Sequence, residues 1–271
     1  MKLVRFGLLA DPHCGLAETH INRYYSHSFD KMRQAVTVFK ENNLDFIAEL
    51  GDLKDQGCPP QKNQTLSFLD AAEEILQTFQ GPVYHILGNH DMDSISKRDF
   101  LKHAGNPGGS GNKSFYAFLV KGIRFVVLDA NFNADGSPYD SGNGDWRTAI
   151  IPKEEIQWLK QELFGPYPVI ILTHQLLDFF SGLSQDYYVK NSPKIVELLE
   201  MSGQVLAVFQ GHHHEGHYSF RRGIHYVTLK GMIEGSFPEN NSFAAVEVDP
   251  SLTITLKGFG NCESSVLKRE Q

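Results

Sequence analysis

Six short apolar runs in this 271-residue chain each break off into a cluster of polar residues, and helical segments separate several of them. The runs span residues 2–10, 45–50, 83–87, 123–128, 169–172 and 205–209 and are rich in Val, Ile, Leu and Phe. Apolar runs this short read as strands buried on both faces, the pattern of parallel strands in an α/β fold. Open α/β sheets hold their ligands outside the carboxyl ends of the strands. The polar endings are therefore expected to meet at one rim. They read Asp11-Pro12-His13, Gly51-Asp52, Gly88-Asn89-His90-Asp91, Asp129-Ala130-Asn131, Thr173-His174 and Gly211-His212-His213-His214.

Between the runs, Phe29, Met32, Val36 and Phe39 repeat at helical spacing behind Ser26 and Ser28, either of which can cap a helix. Leu66, Leu69, Ile75, Leu76 and Phe79 repeat in the same way, and Gly81-Pro82 stops that helix. Ile156, Leu159 and Leu163 follow Pro152, while Ser192-Pro193 sets a cap and a first-turn proline ahead of Ile195, Val196, Leu198 and Leu199. In the last third, runs at 224–229, 243–248 and 252–256 follow one another with only turns between, which predicts antiparallel pairing among them. The expected architecture is two sheets packed face to face with helices outside, as one domain over residues 1–271. Two long connections, 131–146 and 175–191, follow rim-directed strands, where long loops tend to carry function.

A net charge of −7 and a pI near 5.9 argue against a broad basic face for a nucleic acid polymer. A small anionic substrate remains compatible, because bound divalent cations reverse the local sign. Cys14, Cys58 and Cys262 are odd in number and lack paired spacing, so a disulfide framework is not expected and a reducing compartment is. The apolar opening is too short for a signal peptide and carries Arg5. No run approaches the roughly 20 residues that span a bilayer. These features predict a cytoplasmic protein with no membrane partner; the oligomeric state stays open.

The rim chemistry suits phosphoester hydrolysis. Two cations about 3.5–4 Å apart can clamp phosphoryl oxygens and generate a hydroxide nucleophile. The candidate ligands are Asp11, His13, Asp52, Asn89, His174, His212 and His214. With Asp11 and Asp52 as the only anions, two divalent ions leave a surplus of about two positive charges, which attracts phosphate. If the backbone is extended, residues two apart share a side, so Asp11 and His13 reach one ion and His212 and His214 face together, with His213 opposite. The mixed His, Asp and Asn set favours manganese, iron, zinc or cobalt over calcium, as divalent or mixed-valence ions. His90 can protonate a leaving oxygen, and Asp91 is the first choice for a carboxylate that fixes its tautomer. Asn89, His90 and Arg23 are candidate substrate contacts, and Phe179, Phe180, Tyr139 or Tyr188 can stack on a base.

The ordered series Asp11-Pro-His13, Gly51-Asp52-Leu-Lys-Asp55, Gly88-Asn-His-Asp91, His174 and Gly211-His-His-His214 resembles the calcineurin-like metallophosphoesterase superfamily. The resemblance implies a four-layer α/β/β/α sandwich, two mixed β-sheets flanked by helices, around a dinuclear site. It assigns Asp11, His13, Asp52 and His214 to one metal and Asp52, Asn89, His174 and His212 to the other, with His90 as the acid or charge-stabilising histidine. Arg23-Tyr-Tyr-Ser26 and Asp129–Asn131 are similar to the branch of manganese-dependent ADP-ribose/CDP-alcohol diphosphatases, whose members often carry Gln at the position of His13. The implied function is hydrolysis of phosphodiester or pyrophosphate bonds in small molecules, including nucleotides, by a metal-bound hydroxide. A phosphomonoesterase or cyclic-nucleotide phosphodiesterase is the alternative, and a non-catalytic scaffold on the same fold is the rival from another class.

Overall fold

A computed structural model describes residues 2–104 and 113–269. Strands and helices are numbered in chain order. One sheet has the order β12-β11-β10-β1-β2-β3, from Ser265–Leu267, Ile254–Gly260, Ser242–Val248, Val4–Leu9, Phe46–Glu49 and Val83–His85. The other has the order β4-β5-β6-β7-β9-β8, from Tyr116–Val120, Ile123–Val127, Val169–Leu172, Val205–Gln210, Ile224–Thr228 and His217–Arg221. Both sheets are mixed. Strands β1, β2 and β3 run parallel to one another, as do β5, β6, β7 and β9.

Three apolar clusters explain why the runs are continuous rather than alternating. Phe6, Leu8 and Phe46 of the first sheet pack against Phe125, Ile170 and Phe209 of the second, with Phe6 edge-on to both Phe125 and Phe209. The opposite face of the first sheet, including Leu9 and Ile47, buries against α1 (Ser28–Glu41) through Met32, Val36 and Phe39 and against α2 (Lys62–Leu76) through Leu69 and Leu76. On the far side, Val126, Ile171 and Val208 meet Ile156 and Leu159 of α4 (Lys153–Glu162) and Ile195 and Leu199 of α5 (Ser192–Ser202). The short α3 (Lys97–His103) completes the helices and carries a capping box between Ser96 and Asp99. The result is the four-layer α/β/β/α sandwich. Each fully buried Phe or Leu contributes roughly 1.5–3 kcal/mol, enough in sum to hold strained loops at the rim.

The last third departs from expectation. β10 and β11 pair antiparallel, but β9 lies in the other sheet, parallel to β7 and antiparallel to β8. β10 instead lies antiparallel to β1. An apolar run shows that a strand is buried and does not show which sheet takes it. The caps also shift. α1 starts at Ser28 with neither Ser26 nor Ser28 as its N-cap, and α5 follows Asn191, whose Oδ1 accepts from the Ile151 amide. No helix among the described residues is long and apolar enough to cross a membrane.

Candidate metal centre

The loops leaving β1, β2, β3, β6 and β7 supply all seven proposed ligands. They are stitched together by backbone hydrogen bonds. The Asp11 amide donates to Gly51, that of His13 to Asp52, and that of Gly211 to His174. Asp11, His13, Asp52 and His212 have φ of 52°, 46°, 55° and 68°, in the left-handed region, so the ligand-bearing stretches are not extended. The side chains still converge, but by strained turns rather than by strand alternation. Such backbone costs about 1–3 kcal/mol per residue and persists only where the surroundings over-determine it. Two glycines make the convergence possible. A Cβ on Gly51 would lie 2.6 Å from the Gly88 nitrogen and 2.7 Å from His174 Nδ1, and one on Gly88 would lie 2.2 Å from the Asp52 nitrogen.

The side chains form two clusters whose ligand atoms lie within 4.8 Å of one another, Asp11 with His13 and His214, and Asp52 with His174 and His212. Asp52 Oδ2 stands between them, 3.2 Å from His174 Nε2 and 3.5 Å from His13 Nε2. Across the first cluster, His214 Nε2 is 3.4 Å from Asp11 Oδ1 and 3.3 Å from His13 Nε2. Three of the histidines have their outer nitrogen engaged. Nδ1 of His174 donates to the Leu50 carbonyl, that of His13 faces Asp55 at 3.2 Å, and that of His214 faces Glu234 at 2.8 Å. Each contact orients its ring with Nε2 facing inward.

Electrostatics point the same way. Burial opposes ionisation of Asp52, yet the imidazoles of His174, His90 and His13 hold its carboxyl well below the usual range. Asp52 in turn overcomes burial and lifts His174 to about 10. The carboxylates thus demand positive charge beside them. Burial and the charge of His174 push His212 down to about 3, so this ring stays neutral and able to ligate. Asn89 Oδ1 and His212 Nε2 are buried with no hydrogen-bond partner among the described residues. A buried orphan acceptor is costly unless something satisfies it. Divalent cations fit this donor set.

Residues 4–216 match the calcineurin-like phosphoesterase family. The chain belongs to that family. It is similar to a manganese-dependent ADP-ribose/CDP-alcohol diphosphatase of Oryza sativa subsp. japonica, 28% identical over 92% of this chain and 89% of the relative. A protein of the same name from Arabidopsis thaliana is 25% identical over 91% of each chain. The fold resembles the crystal structure of a dimetal phosphatase from Danio rerio, with a TM-score of 0.85, 22% identity, and coverage of 98% of this chain and 99% of that one. The chain is a metal-dependent phosphoesterase.

Around the candidate metal centre of the phosphoesterase, several sequence expectations need correction. Asp91 does not orient His90. It is fully buried and accepts from the amides of Gly88, Asp52 and Leu53, bracing the two ligand loops against each other. Asp93 takes the predicted role instead, with Oδ2 2.7 Å from His90 Nδ1 and Asp55 a further 3.8 Å contact. Burial would lower the His90 pKa, but Asp52 and Asp93 raise it to about 9. The Asp93 signal was available: two residues beyond Asp91, it can fold back on His90 once a 3-10 turn forms at His90–Met92. Cys14 is buried, with Sγ 3.1 Å from Met32 Sδ, and burial pushes its thiol well above the ordinary value. It is an inert packing residue, not a thiolate.

The aromatic candidates also change. Tyr139 and Tyr188 are buried, Tyr139 donating to the Asp145 carbonyl, and Phe180 packs on Tyr226. The aromatic rings beside the site are Trp146 and Tyr187, whose centroids lie 5.2 and 5.8 Å from His212. They come from the two long loops. His213 packs on Tyr187, outside both clusters. Arg23 Nε lies 3.5 Å from Glu234, the carboxylate that also holds His214. Glu234 lies beyond the last recognised motif, and nothing in its local sequence marks it. Asn131 donates to the Leu87 carbonyl and accepts from Gln175, so Asp129–Asn131 supports the Asn89 loop from behind.

Proposed function

We propose that this phosphoesterase hydrolyses the pyrophosphate bond of small nucleoside diphosphate conjugates at a dinuclear, manganese-dependent centre. The observation that carries the reading is Asp52 Oδ2, standing within 3.5 Å of a histidine of each ligand cluster. Asp11, His13, Asp52 and His214 would hold one ion, and Asp52, Asn89, His174 and His212 the other. Bound divalent cations would supply charge neutralisation at the phosphoryl oxygens and activation of water. The names of relatives that match nine-tenths of the chain support manganese and a diphosphate conjugate as substrate.

The protein's own groups do the rest. His90, held by Asp93 through Nδ1, directs Nε2 to the leaving oxygen and donates a proton there. The Asn89 amide, next to His90, would offer its buried Oδ1 to a cation and its NH2 to the phosphoryl group. Arg23, at the mouth of the site, faces Glu234 and so steadies the carboxylate that holds His214. Asp91 and the strained loop after β2 keep Asp52 in register without touching substrate.

The test is turnover of ADP-ribose and of bis-p-nitrophenyl phosphate by the protein purified with manganese. Metal-dependent release of AMP from ADP-ribose is expected; no turnover of either substrate with any first-row ion refutes an enzymatic role. Asp52→Ala, measured by metal analysis after gel filtration, is expected to lose both ions. Retention of two ions per chain in that variant removes Asp52 as the shared ligand.

A further inference from the structure

A cavity of about 720 Å³ opens directly beyond His212 and His214, with Asn22, Arg23, Tyr187, Lys230 and Glu234 in its wall. A phosphoryl group held by the ligand histidines would extend the rest of its molecule into this space, because those two histidines are shared by the site and the cavity. The cavity has two side-chain cations, and they are not equivalent. Arg23 is drawn to Glu234 at 3.5 Å, and its backbone bridges that of Glu234. Its charge is already balanced by a carboxylate committed to the metal centre.

Lys230 is different. Among the described residues its nearest carboxylate is that of Glu263, 3.9 Å away on a side chain that is 90% exposed; Glu263 and Gly216 line a neighbouring cavity, so Lys230 stands on the ridge between the two. An ion pair of that kind contributes little and leaves the ammonium free to meet an incoming anion. Its root is nevertheless fixed. The amides on either side, of Leu229 and Gly231, donate to Gln210 and to His214, so the Lys230 backbone is tied to the end of β7 and to a proposed ligand. The aliphatic stem lies over Gly216, where φ is +72° and a Cβ would come within 2.7 Å of Lys230 Cγ. The stem can lie there only because residue 216 has no side chain.

We infer that Lys230 is the cation of a second anion subsite, which holds the unattacked phosphate of a diphosphate conjugate while the other phosphate sits at the metal centre. The inference rests on the function proposed above and adds the residue that sets its specificity. A point charge on a flexible stem suits a phosphate whose position varies with the alcohol beyond it. A substrate with a single phosphate has no group for this subsite, so Lys230 favours P–O–P conjugates over simple diesters.

Lys230→Met keeps the stem and removes the charge; Lys230→Arg keeps the charge. With manganese present, kcat/KM for ADP-ribose divided by kcat/KM for bis-p-nitrophenyl phosphate is expected to fall roughly tenfold in Lys230→Met, through KM rather than kcat, and to recover largely in Lys230→Arg. An unchanged ratio in Lys230→Met overturns the subsite while leaving the proposed function standing. Should the wild type cleave the diester and not ADP-ribose, the proposed function fails, and equilibrium binding decides the subsite. The probe is then α,β-methylene-ADP titrated into the manganese-loaded protein. A roughly tenfold weaker Kd in Lys230→Met supports the subsite, and an equal Kd excludes it.

Discussion

Asp91 and Asp93 divide two tasks that adjacency in sequence would give to Asp91 alone. The first accepts three amide hydrogens and is not bonded to the imidazole; the second holds the imidazole, and its carboxylate accepts from none of those amides. Substitution by Asn separates them. In Asp93→Asn the ring loses a charged partner but keeps an acceptor, so turnover of a substrate with a poor leaving group is expected to fall about tenfold with metal content preserved. In Asp91→Asn one oxygen must serve amides that now take two, and the new NH2 faces N–H donors. Each group left unsatisfied costs about 1–3 kcal/mol. That variant is expected to melt several degrees lower and to bind manganese more weakly. Normal thermal stability in Asp91→Asn, read by calorimetry, would contradict the bracing role.

At the scale of elements, the strands that feed the site were legible and their last turns were not. Runs such as Val169–Leu172 and Val205–Gln210 are buried at every position, and continuous burial leaves a continuous apolar signature. β4 escaped notice because Tyr116–Val120 lies at a sheet edge and is mostly half-buried, so its pattern is weak. The turns at Asp11, His13, Asp52 and His212 are left-handed because neighbouring loops impose it, which no local propensity reports. Gly51 and Gly88 are the residues in the motifs whose reason appears only here: they let the loops after β2 and β3 touch. Gly88→Ala drives a methyl group to 2.2 Å from the Asp52 amide, where backbone must move. Manganese affinity by calorimetric titration is expected to fall at least tenfold, a typical loss when a ligand's support is disturbed. Wild-type affinity in Gly88→Ala would mean that the contact relaxes elsewhere.

For the whole molecule, two charge balances set stability. His85 is buried beneath the rim, 3.1 Å from Glu73 and 3.3 Å from Glu49, whose other oxygen accepts from the Gly51 amide. Burial disfavours its charge, but Glu73 and Glu49 raise its pKa to about 9. A raised folded-state value means that the stabilisation is present in full below pH 6.5 and disappears as pH climbs toward 9. Glu49 is itself raised, which acts in the same direction. The melting temperature is expected to decline between pH 7 and 9, and His85→Gln to flatten that decline; an identical slope in the variant would assign the effect elsewhere. The second balance is at the metal centre. Ions that bind only the folded chain stabilise it by about 2.7 kcal/mol at a hundredfold excess over Kd. Chelation is therefore expected to lower the melting temperature, and added manganese to restore it.

The chain's order of letters was sufficient for the α/β class, the layered sandwich and the identity of the polar groups that gather at the rim. These depend on burial and on side-chain chemistry, which a linear pattern records directly. Tertiary structure alone decided which sheet received β9, which carboxylate holds each imidazole, and that Trp146 and Tyr187 rather than Tyr139 and Tyr188 stand beside His212. Those choices are made between residues far apart in the chain. Glu234 meets His214, Asp55 meets His13, and Lys230 lies over Gly216, all because two packed sheets bring the loops after β1, β2, β3, β6, β7 and β9 to one edge.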